Sequence, residues 1–171
     1  MKVKIKRLHP DAVIPFKAYP SDFCFDCVAV SEEEIAPNVW RYGLGFALQI
    51  ERDWETILNG YDVNEYKSFF DSRIRVNLSN SPIILSIDFR SRSSIWKTGM
   101  VLSNSLGTVD KNFTGEISAV FYHVLPNMPR YKVGDRVCQC KIGATFPMDF
   151  IEVEELDARD RSTNGYGSSG R

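Results

Sequence analysis

Three stretches of the chain carry residues whose types and spacing suit chemistry on an anion. Arg92, Ser93 and Ser94 stand in the run RSRSSIWK, between Arg90 and Lys97. A guanidinium offers a fixed fork of donors to phosphate oxygens, and neighbouring hydroxyls add short hydrogen bonds. The same run also suits a merely solvated loop. Asp110 closes Gly107-Thr-Val-Asp110. A carboxylate fixed at a strand end can orient and deprotonate a water, and an Asp in a simple turn is the plainer alternative. Asn104, six residues before it, can offer a donor and an acceptor to a planar base edge. Phe113 suits either a core position or a platform under a sugar. The third stretch is the tail 158–171, ARDRSTNGYGSSGR. Arg159 and Arg161 can pair with phosphate, Tyr166 can stack, and Gly165 and Gly167 let backbone come close. Little in this tail can repay its ordering entropy alone, so it reads as a frayed end or as a lid that orders over a ligand.

These residues need a scaffold, and the pattern around them is mostly strand. Lys2 to Leu8 alternates basic with apolar residues, the two-residue period of a half-buried strand. Further strands are expected over 25–30, 45–50, 74–78, 83–89, 99–103, 115–124 and 136–142, punctuated by Gly, Pro, Asn, Asp and Ser. The stretch 99–110 reads as a hairpin of strand, turn and strand. Many short strands with turn signals indicate an all-β sandwich or barrel rather than βαβ units. Residues 51–73 read differently, as a partly helical excursion with short helices near 54–58 and 63–70, suited to a surface flap or subunit contact. In Gly134-Asp-Arg-Val-Cys-Gln-Cys140 the turn signal precedes a strand. There Gln139 must face away from Cys138 and Cys140.

Composition limits the partners. The 171 residues suit one domain and can bury a core without a metal or disulfide staple. With 21 Lys and Arg against 22 Asp and Glu, the net charge of −1 argues against a stable nucleic-acid partner. No run approaches the length of a membrane span, and the basic start is not followed by the apolar core of a signal peptide. A soluble, cytoplasmic protein is expected, with the nucleus an alternative in a eukaryotic host. The four cysteines form C-x-x-C (24 and 27) and C-x-C (138 and 140). Two thiol pairs can make a tetrahedral zinc site or a redox pair, but the tight C-x-C and the lack of flanking zinc-knuckle residues favour buried free thiols.

Taken in order, five segments resemble the motifs of the trimeric deoxyuridine triphosphatase (dUTPase) family. PSDFCFDC is similar to the first, ending in Gly-Tyr/Phe-Asp-Leu, and sets Asp26 on its aspartate. SRSSIWK resembles Pro-Arg-Ser-Ser/Gly-Leu-Ala-x-Lys, GTVDKNFTGE resembles Gly-Val-Ile-Asp-x-x-Tyr-x-Gly, GDRVCQC resembles Gly-Asp-Arg-Ile-Ala-Gln, and RSTNGYGSSG resembles the glycine-aromatic-glycine tail. The resemblance implies a jelly-roll-like β barrel over 1–157, with the tail 158–171 as an arm. It also implies a homotrimer with sites at subunit interfaces, each closed by an arm that a neighbouring subunit can supply. The implied reaction is hydrolysis of dUTP to dUMP and pyrophosphate by water attack at the α-phosphate. That reaction limits uracil incorporation into DNA and supplies dUMP for thymidylate synthesis.

By the same resemblance Asp110 activates the water, and Asn104 reads uracil together with backbone groups of its hairpin, where Gly107 lies. Phe113 packs under the deoxyribose. Arg92, Ser93, Ser94 and Gln139 contact phosphate, as do Arg161, Ser168 and Ser169 of the arm, where Gly167 also meets the substrate and Tyr166 stacks on uracil. Mg2+ is implied, bound mainly through the triphosphate, with Asp26 touching it through water at most or holding a site arginine. Cytosine would set donor against donor in the base pocket, at about 1–3 kcal/mol per mismatch. Phe23 and Cys24 in place of Ala-Gly, Ser91 in place of Pro, and Ile95-Trp96 in place of Leu-Ala depart from the family pattern, as does the insertion at 51–73. The alternatives are a deoxycytidine triphosphate deaminase relative, which needs a glutamate where Val120 stands, and a nucleotide-binding regulatory protein acting through the insertion.

Overall fold

The computed structural model describes residues 2–50, 84–110, 112–145 and 148–157. The expected strand at 74–78, the helices at 54–58 and 63–70 and the arm from 158 lie outside the described residues. Ten strands and one 3-10 turn are described. They are β1 (Val3–Arg7), β2 (Phe25–Val28), β3 (Ser31–Ala36), β4 (Val39–Gly43), β5 (Phe46–Ile50), β6 (Ile84–Ser91), the turn Ser93–Lys97, β7 (Met100–Leu102), β8 (Leu106–Val109), β9 (Ser118–His123) and β10 (Arg136–Thr145). All pairings are antiparallel. One sheet runs β2-β10-β6-β8, a second runs β3-β4-β9-β7, and β1 pairs β5 as a ribbon. The chain is therefore all-β, as the alternation of short apolar runs and turn residues requires.

The two four-stranded sheets share one core. Ile87, Phe89, Val137, Cys138 and Cys27 from the first meet Tyr42, Phe121, Met100 and Leu102 from the second, with Phe46 and Leu48 of β5 beside them. Tyr42, Phe121 and Tyr131 contact edge to face, with centroids 5.5–6.2 Å apart. Gly45, at φ +70°, turns the chain out of β4 into the ribbon, and its carbonyl accepts hydrogen bonds from the Leu8 and His9 amides. Cys27, Cys138 and Cys140 are buried, and the Cys27 and Cys140 sulfurs lie 3.7 Å apart. Hydrogen bonding with Cys138 and Cys140, together with burial, pushes the Cys27 thiol up. It therefore stays protonated, as a core residue does.

Three readings need correction. The hairpin β3–β4 was not expected, because Glu32, Glu33 and Glu34 break the apolar alternation. Strand β3 forms the edge of its sheet, where charged residues discourage further pairing. Its signal was Pro37-Asn38, a two-residue loop between Ala36 and Val39 with Asn38 at φ +60°. The stretch 99–110 is indeed strand, turn and strand but not a hairpin. Strand β7 pairs β9 while β8 pairs β6, so the turn 103–105 carries the chain from one sheet to the other. Strand β1 is also more exposed than its alternation implied, with only Ile5 half-buried.

Candidate active site

Strands β2, β10 and β6 lie side by side, and this adjacency brings three of the five sequence segments together. Gln139 stands opposite Asp26 on one side and opposite Arg90 on the other. Strand β6 ends at Ser91. The chain then tightens into the 3-10 turn, with the Ile95 amide bonded to the Arg92 carbonyl and the Thr98 amide to that of Ile95. Arg92, at the head of this turn, is directed back onto β2.

Asp26 is the only charged residue among the described ones that is fully buried, at 8% exposed. Two arginines pair with it. Arg92 Nε donates to Oδ1 at 2.8 Å, and Arg92 Nη2 reaches Oδ2 at 3.4 Å. Arg136 Nη1 donates to Oδ2 at 3.0 Å. Arg92 Nη1 also donates to Ser94 Oγ at 3.2 Å and to the Arg136 carbonyl at 3.5 Å. Gln139 Nε2 donates to the Ser91 carbonyl at 3.3 Å. Asp26, Arg92, Ser94 and Arg136 thus form one bonded cluster, with Gln139 beside it on the neighbouring strand, opposite Asp26. Ser93 is exposed beside it. A buried carboxylate bonded by two guanidinium groups holds both in fixed orientation. The sequence reading missed Arg136 as a site residue, although its place in Gly-Asp-Arg was the available signal.

The cluster bears on a metal. Both Asp26 oxygens accept from guanidinium groups, which suits contact with a magnesium ion's water shell rather than with the ion itself. Among the described residues no group of three His, Cys, Asp or Glu is arranged to hold a metal.

Asn104, Gly107, Asp110 and Phe113 lie elsewhere. Asn104 is exposed on the turn between sheets, and its Nδ2 comes within 3.1 Å of where a Cβ on Gly107 would sit, so a larger residue there would crowd it. Asp110 is exposed just past the end of β8. Its backbone carbonyl accepts from the Phe113 amide at 3.0 Å. Among the described residues its carboxylate has no hydrogen-bond or ion-pair partner. The Phe113 ring covers Gly115, where a Cβ would fall 2.8 Å from the ring.

Register separates the two groups. Strand β8 pairs β6 with Val109 opposite Ile87, which sets Asp110 level with Ser86. Arg92, one residue past the end of β6, lies six residues further along the chain. At about 3.3 Å per residue the two are roughly 20 Å apart within one chain. Arg161, Tyr166, Gly167, Ser168 and Ser169 lie outside the described residues.

Comparison with known proteins agrees with the fold. No family model matches the chain. The deoxyuridine 5'-triphosphate nucleotidohydrolase of Helicobacter pylori strain P12 is 31% identical over 171 residues, covering 99% of this chain and 97% of the relative. That of Zymomonas mobilis is 29% identical over 99% of this chain and 98% of the relative. Among solved structures, the dUTPase of Staphylococcus bacteriophage 80alpha with dUpNHpp superposes at a TM-score of 0.67 with 16% identity over 99% of both chains. The dUTPase of Staphylococcus aureus phage phi11 gives 0.61 at 13% identity, over 93% of this chain and all of its own. The sequence match spans nearly the whole chain and includes the segments that build the Asp26 cluster and carry Asp110. The chain belongs to the deoxyuridine 5'-triphosphate nucleotidohydrolase family.

Proposed function

We infer that the protein hydrolyses dUTP to dUMP and pyrophosphate, with water attacking the α-phosphate. The observation that carries this reading is membership of the family over nearly the whole chain, with Asp110 exposed at the end of β8. An unpartnered carboxylate is free to take a proton from a water in line with the leaving pyrophosphate. Arg92, Ser93, Ser94 and Gln139 are assigned to the phosphates, Asn104 and the backbone around Gly107 to the uracil edge, and Phe113 to the deoxyribose. In the arm, Arg161, Ser168 and Ser169 are assigned to the phosphates, Tyr166 to the uracil face and Gly167 to the substrate beside it. Asp26 is a positioning residue. It fixes Arg92 and Arg136 so that their remaining donors meet the triphosphate without reorganising. Magnesium, bound through the phosphates, supplies further charge neutralisation when present.

The separation of roughly 20 Å between Asp110 and Arg92 supports a site shared between copies. A homotrimer in which one subunit's Asp110 faces another's Arg92 joins the two groups. The two sheets are read as the faces of a jelly-roll-like barrel that presents them. Residues 1–157 form the β domain and 158–171 the closing arm. No helix among the described residues is long and apolar enough to cross a membrane, and a cytoplasmic setting is proposed. Pyrophosphate release from dUTP, dCTP, dTTP and UTP with magnesium tests the activity, alongside ammonia release from dCTP. Turnover confined to dUTP is expected. Ammonia from dCTP, or no pyrophosphate from dUTP, would overturn the reading.

A further inference from the structure

Arg90 stands outside the segments that resemble family motifs, yet it lies in the same row as the Asp26 cluster. Ile87 and Phe89 of β6 are buried, so Ser86, Asp88 and Arg90 share the opposite face. Across the sheet, Arg90 is opposite Gln139 on one side and Leu106 on the other, and Gln139 is opposite Asp26. Residues opposite in register point to one side. The row Asp26–Gln139–Arg90 is therefore continuous with the bonded cluster.

The Arg90 Nε is buried and has no hydrogen-bond partner. The nearby carboxylates on this face are engaged with other groups. Asp26 holds Arg92 and Arg136. Asp88 accepts from Ser86 Oγ at 2.8 Å and Thr108 Oγ1 at 3.2 Å. Lys141, opposite Asp88, adds further positive charge. Two guanidinium groups thus hold the Asp26 carboxylate, and a third, that of Arg90, stands two strands away in the same row and keeps an unmade bond. A buried donor left unmade costs about 1–3 kcal/mol. The arrangement calls for an anion with several oxygens, and the guanidinium fork matches phosphate.

We propose that Arg90 is a further binding residue of this site, completing its hydrogen bonds on the polyphosphate of the nucleotide. The proposal rests on the hydrolase reading, and its test separates the two. Inorganic tripolyphosphate is titrated into the full-length oligomer and into its Arg90→Gln and Arg90→Met variants, with native mass measured for each. Steady-state KM and kcat for dUTP are measured in parallel. Loss of a charge-assisted bond weakens tripolyphosphate binding by about 10- to 100-fold. KM for dUTP should rise with kcat changed far less, and the native mass should stay that of the parent. Tripolyphosphate affinity within twofold of the parent in either folded variant would overturn the proposal. So would variants that dissociate while their remaining oligomer binds normally, which would assign Arg90 to a subunit contact. A parent that binds tripolyphosphate through Arg90 but leaves dUTP intact would sink the hydrolase reading and keep the anion site.

Discussion

The Asp26 cluster and the Asp110 end of β8 differ in almost every physical respect. Asp26 is buried, bonded to two arginines and set among three adjacent strands. Asp110 is exposed, ends the edge strand of its sheet, and has no side-chain partner among the described residues. The first group is finished within one chain and is built to hold charge in place. The second is left open, as a group that must meet a water and a phosphate has to be. Preorganised donors stabilise developing charge best when they need not move, whereas a base must be free to exchange its proton. One fold supplies both by placing them at opposite ends of β6.

Variants can sharpen this contrast. The largest effect is expected from Asp110→Asn. It should lower kcat by about three orders of magnitude or more while leaving dUTP affinity and thermal stability near those of the parent. Near-normal turnover would remove Asp110 from its role. Asp26→Asn should do the reverse in kind. With the carboxylate gone, two guanidinium groups lose their shared partner, and stability should fall by about 3 kcal/mol in chemical denaturation. KM for dUTP should rise as Arg92 loses its orientation. An unchanged melting curve would show that the cluster does not hold the strands.

A third ion pair serves as a control away from both regions. Arg130 Nη2 donates to Glu32 Oε1 at 3.0 Å, and its guanidinium lies over the Trp40 ring at 3.5 Å from the centroid. Hydrogen bonding to Arg130 pulls the Glu32 carboxyl below its ordinary 4.5. A depressed carboxylate contributes stability that is full above 4.5 and is lost as pH falls through the lower folded value. Glu32→Gln should therefore cost about 1 kcal/mol at neutral pH, with the difference from the parent vanishing below the folded value. Its kcat and KM should not change. A stability difference that persists undiminished in acid would exclude this ion pair as its source.

How much of this was legible beforehand depended on where the signal resided. The all-β class followed from two-residue alternation, and β2, β5, β6 and β10 lie where apolar runs placed them. Strand β3 escaped because an edge strand need not be apolar, and Glu32–Glu34 sit on it. The hairpin expected at 99–110 failed because a turn does not say which partner each strand takes. That is decided by which sheet buries Leu102 and which places Val109 beside Ile87. Arg92, Ser94, Gln139 and Asp26 were legible as residue types, and their convergence needed the β2-β10-β6 order. Arg136 was legible only by its place in Gly-Asp-Arg, and Arg90 only as a charge. Their meaning comes from the shared carboxylate of the one and the unmade bond of the other.

Whether one copy's Asp110 serves another copy's Arg92 is tested most directly by mixing two inactive variants. Asp110→Asn subunits are dissociated and reassembled with Arg92→Gln subunits in equal amounts, and dUTP turnover is followed. A site shared between two copies is intact when each contributes its unaltered residue, which random mixing achieves in about a quarter of sites. Recovery to about a quarter of the parent's turnover is the predicted result. Mixed oligomers confirmed by native mass, with turnover no greater than the sum of the two parents' residual rates, would contradict it.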